Sequence, residues 1–308
     1  MRFVVGAPGR ADRLLAGAVE DTSRKLLARA FAAGKVRLNG RRARKGDAVV
    51  PGDVLEVDGV VGRAERVPVA QPELPLELIW HDDHLLAVDK PPGMPSHPIE
   101  PGERGTLANA IVARYPECAT AGDDVREAGL AHRLDVDTSG VILVARRAAV
   151  WRALRAAFRE RRIRKEYLAL VEGTVDGARV IDAPIAYDRG GAGGVRVGER
   201  PGALAAMTEI HPERNLGRYS LVRCVARTGR MHQVRAHLAA AGHPCVGDLR
   251  YGATPTDLDT QGAFLHAARI ELAHPVTGVG MVLESELPPR RVAVVEGVWR
   301  ESLVDSRR

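Results

Sequence analysis

The chain has 308 residues, with 45 Lys+Arg against 39 Asp+Glu and a net charge of +6. Hydrophobic content of 45% with 27% charged residues is ordinary for a globular protein and excludes wholesale disorder. No apolar run approaches the ~20 residues of a membrane span, the first residues lack the apolar core of a signal peptide, and Cys118, Cys224 and Cys245 are too dispersed for a disulfide scaffold or a zinc knuckle. A soluble cytoplasmic protein without a bound metal is therefore expected. At roughly 100–200 residues per domain, the length allows one large domain or two unequal ones. Only Lys25, Lys35, Lys45, Lys90 and Lys165 are lysines, so nearly all positive charge is guanidinium. That suits bidentate recognition of phosphate, and it equally suits a solvated surface in which Arg has replaced Lys.

Residues 1–58 read as a small α+β unit. A first helix begins at Asp12. A second, capped by Asp21 or Thr22, runs from Ser23 to Ala33 with Leu26, Leu27, Ala30 and Phe31 on one face, and Gly34 stops it. Val36 to Leu38 is a strand entering an Asn39-Gly40 turn, and Val54 to Val57 closes the unit. Arg24, Lys25, Arg29, Lys35, Arg37, Arg41, Arg42, Arg44 and Lys45 fall on this helix, strand and turn. The pattern resembles the RNA-binding module named after ribosomal small-subunit protein S-four. That resemblance implies a basic RNA-binding face bearing Arg24, Lys25, Arg29, Lys35, Arg37 and Arg41.

Residues 59–76 contain three prolines and no periodicity, and read as an extended linker. Short strands follow at Leu78–Trp80 and Leu85–Asp89, flanking His81-Asp-Asp-His84, which reads as a polar turn in preference to a metal site. Val141–Ala145 is a buried strand and Ala148–Arg161 an amphipathic helix with Trp151, Leu154 and Phe158 on one stripe. Tyr167–Val171 is a strand. Residues 189–202, with six glycines, read as a flexible loop. A helix within Thr228–Ala241 ends at Gly242, so that His232 and Arg235, three apart, share a face. Ile270–Leu272 is a late strand, and a closing helix follows Pro289. Strands outnumber helices without regular alternation, which favours an α+β domain over a doubly wound sheet.

Two segments concentrate chemistry. His132-Arg-Leu-Asp135-Val-Asp137-Thr-Ser-Gly140 places charged and hydroxyl side chains at the mouth of a buried strand, where either a structural turn or a catalytic loop fits. Asp135 and Asp137 at i,i+2 also allow a carboxylate pair of hydrolase type. Thr228-Gly-Arg230-Met-His232-Gln233-Val-Arg235-Ala-His237-Leu runs on to Gly242-His-Pro and Gly247-Asp248. With Lys90-Pro-Pro-Gly93, His97-Pro98, Lys165-Glu-Tyr167, Leu265-His266-Ala and His274-Pro275, these motifs stand in one order.

That ordered set closely resembles the RluA-type RNA pseudouridine synthases over about residues 77–290. The resemblance implies a pseudouridine synthase catalytic domain over 77–308, built on a mixed, largely antiparallel sheet, after the small domain at 1–58 and the linker at 59–76. It implies isomerisation of uridine to pseudouridine in RNA without a cofactor. Asp135 is then the reacting aspartate, Tyr167 the active-site tyrosine, and Arg235 the arginine paired with the aspartate. Arg133 resembles the arginine that fills the gap left by an extruded nucleotide, and His132, Arg230, His232 and Gln233 are further RNA-binding candidates. Met231 and Ala236 depart from the residues usual at their positions. Ribosomal RNA is the favoured partner, with transfer RNA open, no membrane partner and a monomer expected. The alternative is an RNA-binding protein of the same fold that binds or remodels RNA.

Overall fold

The computed structural model describes residues 1–19, 24–58, 66–188 and 193–305, and of residues 24–26 the backbone alone. The chain divides into two compact units, Met1–Pro68 with Ile99–Glu103, and Val69–Pro98 with Arg104–Arg308.

The first unit is built from β1 (Arg2–Val4), β2 (Gly9–Arg10), α1 (Ala11–Ala18), α2 (Arg24–Ala32), β3 (Val36–Leu38), β4 (Arg41–Arg42), β5 (Ala48–Val49) and β6 (Val54–Val57). Four strands form a sheet in the order β1-β6-β3-β4, and β2 pairs with β5. Leu27, Ala30 and Phe31 of α2 are buried against Leu15, Val36, Leu55 and Val57, as the helical spacing predicts. The expected Asp21 or Thr22 cap and the side chains of Arg24, Lys25 and Leu26 lie outside the described residues. The Asn39-Gly40 hairpin forms with both residues in the left-handed region, φ 50° and 78°, as a two-residue turn matched to strand twist requires. Arg29, Lys35, Arg37 and Arg41 are not buried in this unit. Arg42 is committed locally, where its Nη2 donates to the Ala32 carbonyl at the end of α2 (2.8 Å).

The segment expected as a linker divides. Residues 59–65 lie outside the described residues, whereas Val69–Leu76 belongs to the second unit. There Leu76 is buried in the core, the Gln71 side chain accepts from the Gly105 N–H, and Asn109 Nδ2 donates to the Val69 carbonyl. An extended stretch held by side-chain hydrogen bonds leaves no periodicity to read.

The second unit contains β7 (Glu77–His81), β8 (Leu85–Lys90), α3 (Leu107–Arg114), β9 (Ser139–Ala145), α4 (Ala148–Arg159), β10 (Arg164–Glu172), β11 (Arg179–Asp182), β12 (Ile185–Tyr187), β13 (Val195–Val197), β14 (Met207–Asn215), β15 (Tyr219–Ala226), α5 (Gln233–Ala240), β16 (Leu265–Ala273), β17 (Gly280–Glu284) and α6 (Pro289–Asp305). The main sheet runs β11-β14-β15-β10-β16-β9-β8-β7, with β17 added to β16. Its pairings are antiparallel except β16 with β9, so the sheet is mixed and largely antiparallel. All seven residues of β9 are buried. One face packs α3 through Leu107 and Ile111, the other packs α4 through Trp151 and Leu154. A strand covered on both sides reads as a continuous apolar run, which is why Val141–Ala145 was legible.

Between β7 and β8, Asp82 Oδ1 accepts from the His84 and Leu85 N–H groups, so this segment is a polar turn. Of the glycine-rich segment, residues 189–192 lie outside the described residues, and the described part differs from expectation. Val195–Val197 is a strand paired with Ile185–Tyr187, because Val195 is buried against Ile185, Ala206 and Ala236. Glycines around a short apolar strand masked it in the sequence.

Candidate active site

A cleft of about 440 Å³ opens in the second unit, and Arg133, Asp135, Lys165, Tyr167, Arg230, His232, Leu204 and the β12–β13 hairpin are among its walls. Asp135 sits in the loop entering β9, Tyr167 on β10 and Arg235 on α5, so three separate parts of the fold converge. Tyr167 follows an irregularity in the β10–β16 pairing, where the register shifts between Glu166 and Tyr167. Such a bulge re-aims a side chain at a sheet surface.

Arg235 is the centre of the polar network. Its Nη1 donates to Asp135 Oδ2 at 2.9 Å, while Nε and Nη2 donate to Asp248 Oδ2 and Oδ1 at 2.7 and 2.8 Å. The Asp248 side chain is 1% exposed, that of Arg235 8% and that of Asp135 25%. Burial works against the guanidinium charge, but the Asp248 hydrogen bonds and the charges of Asp135 and Asp248 outweigh it and hold the Arg235 pKa above its usual range. One carboxylate is thus buried and spent on orientation, and the other faces the cleft with an oxygen to spare. For Tyr167, burial first and the Asp135 charge second push the phenol pKa upward, so it enters any reaction protonated.

Not every sequence-predicted RNA contact is presented to a ligand. His132 Nε2 accepts the Leu143 N–H at 3.0 Å, and burial, then the Lys165 and Arg155 charges, push its pKa down to about 3. It is a neutral strut between the Asp135 loop and β9. Gln233 is 4% exposed. Its Oε1 accepts from Thr228 Oγ1 and the Arg230 N–H, and its Nε2 donates to the Met207 carbonyl and Thr208 Oγ1. All its polar capacity is consumed within the protein. Arg230 lines the cleft half-buried, with Nε on the Ala205 carbonyl, and Arg133 is exposed at its wall. His232 does not share a helical face with Arg235, because α5 begins only at Gln233 and His232 is its N-cap. Both nevertheless face Asp135.

Sequence reasoning missed the buried supports. Lys90, fully buried, donates to the carbonyls of Pro91, Met94 and Val136 at 2.9, 2.7 and 3.0 Å, the last one residue beyond Asp135. Burial lowers its pKa to about 7. Arg291 of α6 is also fully buried. It donates to the Asp137 carbonyl and to Ser139 Oγ, fastening the far side of the same loop. Ser139 in turn bonds His266 Nδ1, whose Nε2 meets the Ser285 carbonyl. The Lys90 and Gly247-Asp248 motifs were visible in the sequence, but their contacts were not. A buried Arg at the start of a closing helix carried no signal.

Residues 84–240 match the family described as RNA pseudouridylate synthase. A pseudouridine synthase of Chloroflexus aurantiacus, named as uncharacterized, is 38% identical over 288 residues, covering 91% of this chain and 86% of the relative. The chain belongs to the RNA pseudouridylate synthases. A Xanthomonas campestris relative named ribosomal large subunit pseudouridine synthase D is 33% identical over 291 residues, covering 91% of this chain and 86% of that protein. The fold likewise matches human RNA pseudouridylate synthase domain containing 4, with TM-score 0.57 and 22% identity over 73% of this chain and 93% of that one. This pseudouridylate synthase is an isomerase acting on RNA. Among its described residues, no helix is long and apolar enough to cross a membrane.

Proposed function

We propose that this pseudouridylate synthase isomerises uridines of large-subunit ribosomal RNA, with Asp135 as the reacting carboxylate, Arg235 as its charge partner and Tyr167 against the uracil. The observation that carries the reading is the Asp135–Arg235–Asp248 network at the wall of one cationic cleft. The reaction breaks the N1–C1′ bond, turns the uracil and forms a C5–C1′ bond. The C5 proton leaves and N1 gains one, so composition is unchanged. A carboxylate attacking ribose C1′ or uracil C6 reacts as the anion, and the Arg235 guanidinium at 2.9 Å gives that anion a fixed positive partner. Tyr167 offers a flat ring for the base and a hydroxyl near C5.

A uridine inside a stacked helix cannot reach this cleft, so it is flipped out at a cost of a few kcal/mol. Arg133, exposed at the wall, fills part of the vacated stack. Lys165 and Arg230 add positive charge nearby, and burial, then Arg230, lower the Lys165 pKa to about 8. In this reading residues 1–58 form an S-four-like module whose Arg29, Lys35, Arg37 and Arg41 meet phosphates. The Xanthomonas relative's name supports the ribosomal substrate. The protein works as a cytoplasmic monomer without a cofactor.

The test uses ribosomal RNA carrying tritium at uracil C5, since the proton lost there exchanges with water. The intact chain should release tritium and Asp135→Asn should release none. Release by Asp135→Asn at the normal rate would overturn the assignment. Pseudouridine maps of ribosomal and transfer RNA with and without the gene decide the substrate.

A further inference from the structure

His232 enters the site through a backbone conformation that few residues adopt. Its φ is 52° and ψ 20°, the left-handed region, at the N-cap of α5, where its side chain makes no capping bond. Strain of this kind persists only where the surroundings enforce it, and it gathers at functional sites. Here it delivers the imidazole between two polar groups. Nδ1 lies 2.8 Å from Tyr251 Oη, and Nε2 lies 3.8 Å from Asp135 Oδ1.

One tautomer suits both ends. Tyr251 Oη accepts the N–H of Val195 at 3.0 Å, which leaves the phenol's own proton free to be donated to His232 Nδ1. At the other end Nε2 faces a carboxylate, which only accepts. That tautomer carries the imidazole proton on Nε2. Tyr251 is fixed in turn, its ring edge-on to His232 at 5.7 Å and under the Arg235 guanidinium at 5.2 Å.

We propose that Tyr251 and His232 form a second positioning arm on Asp135, complementary to the arm made by Arg235 and Asp248, and that this arm is tied to the β12–β13 hairpin through Val195. The proposal rests on the reading of Asp135 as the reacting carboxylate. Arg235 holds Oδ2, and His232 addresses Oδ1, so the two together set the plane of the carboxylate. The separation of 3.8 Å is longer than a hydrogen bond, so His232 faces Oδ1 without bonding it directly. The hairpin supplies Ile185, Tyr187 and Val195 to the wall of that cleft. Val195 thus links this wall through Tyr251 to His232 and Asp135. Neither residue reacts with substrate in this scheme. Each acts through Asp135.

Two measurements test the arm in the full-length protein. Nitrogen-15 histidine spectra of the unliganded enzyme should show His232 neutral with its proton on Nε2. A proton on Nδ1 overturns the proposal without any variant. Tyr251→Phe keeps the ring beneath Arg235 and removes only the hydroxyl. It should lower kcat for tritium release on the order of 10-fold with KM within about twofold, and the His232 spectrum should lose its single Nε2–H signature. Unchanged kcat, or a rise in KM alone, overturns the arm while an inactive Asp135→Asn leaves the underlying reading intact. An active Asp135→Asn overturns that reading and the arm with it.

Discussion

Arg235 is a buried cation shared by two carboxylates, and Asp248 takes two of its three donated bonds. Asp248→Ala leaves the guanidinium with Asp135 alone in a site where Asp248 was 1% exposed. Breaking a buried pair from one side costs about 3–5 kcal/mol, because the remaining charge loses its compensation. Asp248→Asn keeps the shape and one acceptor, and its cost should resemble that of hydrogen bonds to a charged group, about 1.5–3 kcal/mol. At roughly 2–4 °C per kcal/mol for a domain of this size, the unfolding midpoint should fall by about 6–20 °C for Ala and about 3–12 °C for Asn. With Asp135 as the proposed reacting carboxylate, a separate catalytic effect is expected. A guanidinium free to turn moves the Asp135 carboxylate, and a 1 Å misplacement is worth ~100-fold in rate. Thermal unfolding and single-turnover tritium release, the latter well below every midpoint, read the two effects independently. Asp248→Asn with the parent's midpoint would refute the claim that Asp248 stabilises Arg235. A lowered midpoint with an unchanged single-turnover rate would refute its role in placing Asp135.

Stability should also fall in acid through His266, which is buried, and His132, which is half-buried. Burial, then the Arg291 charge, lowers the His266 pKa to about 4, and His132 is lowered to about 3. Below about pH 6 the unfolded chain binds these protons first, so stability is lost as pH drops, roughly 1.4 kcal/mol per pH unit for each histidine. Lys90 and Lys165, near 7 and 8, are protonated in both states from pH 6 to 4 and add little slope. His266→Gln should flatten this limb, and an unaltered slope in urea titrations would contradict the account. Gly140 has φ 108° and its missing Cβ would strike the Ala267 carbonyl where β9 runs parallel to β16. Gly140→Ala should cost at least about 1–3 kcal/mol by denaturant unfolding, and a neutral result would mean that the two strands can separate. Changing Arg29, Lys35, Arg37 and Arg41 together to Gln should weaken RNA binding and flatten its salt dependence by about 0.7–0.9 in log-log slope for each phosphate no longer neutralised. An identical slope would remove the first unit from the RNA interface.

Most elements with a strong local signal were legible from residues alone. The apolar face of α2, the Asn39-Gly40 turn, the continuous run of β9 and the stripe of α4 each answer to a periodicity or a turn requirement confined to a few residues. Val69–Leu76, expected within a linker, and Val195–Val197, expected within a loop, differ from expectation for one shared reason. Val69–Leu76 and Val195–Val197 are ordered by contacts with α3 and with Ala206 and Ala236, distant in sequence. Nothing local announces such partners.

The sequence by itself determined the reaction class, because Asp135, Tyr167 and Arg235 stand within motifs whose order is specific to one family. It also determined that Asp135 precedes a buried strand, that Tyr167 lies on a strand and that Arg235 lies on a helix. Only the tertiary structure decided what each polar residue in those motifs does. His132 and Gln233 look as available to RNA as Arg133 and Arg230, yet the first two are consumed by internal donors and acceptors. Asp248 and Tyr251 look like parts of a turn, yet one holds Arg235 and the other holds His232. The reason is that a buried polar group must find a partner, and the partner available is settled by which strands and helices meet. Motif spacing places a side chain along the chain, and packing determines whether its hydrogen bonds remain free for a substrate.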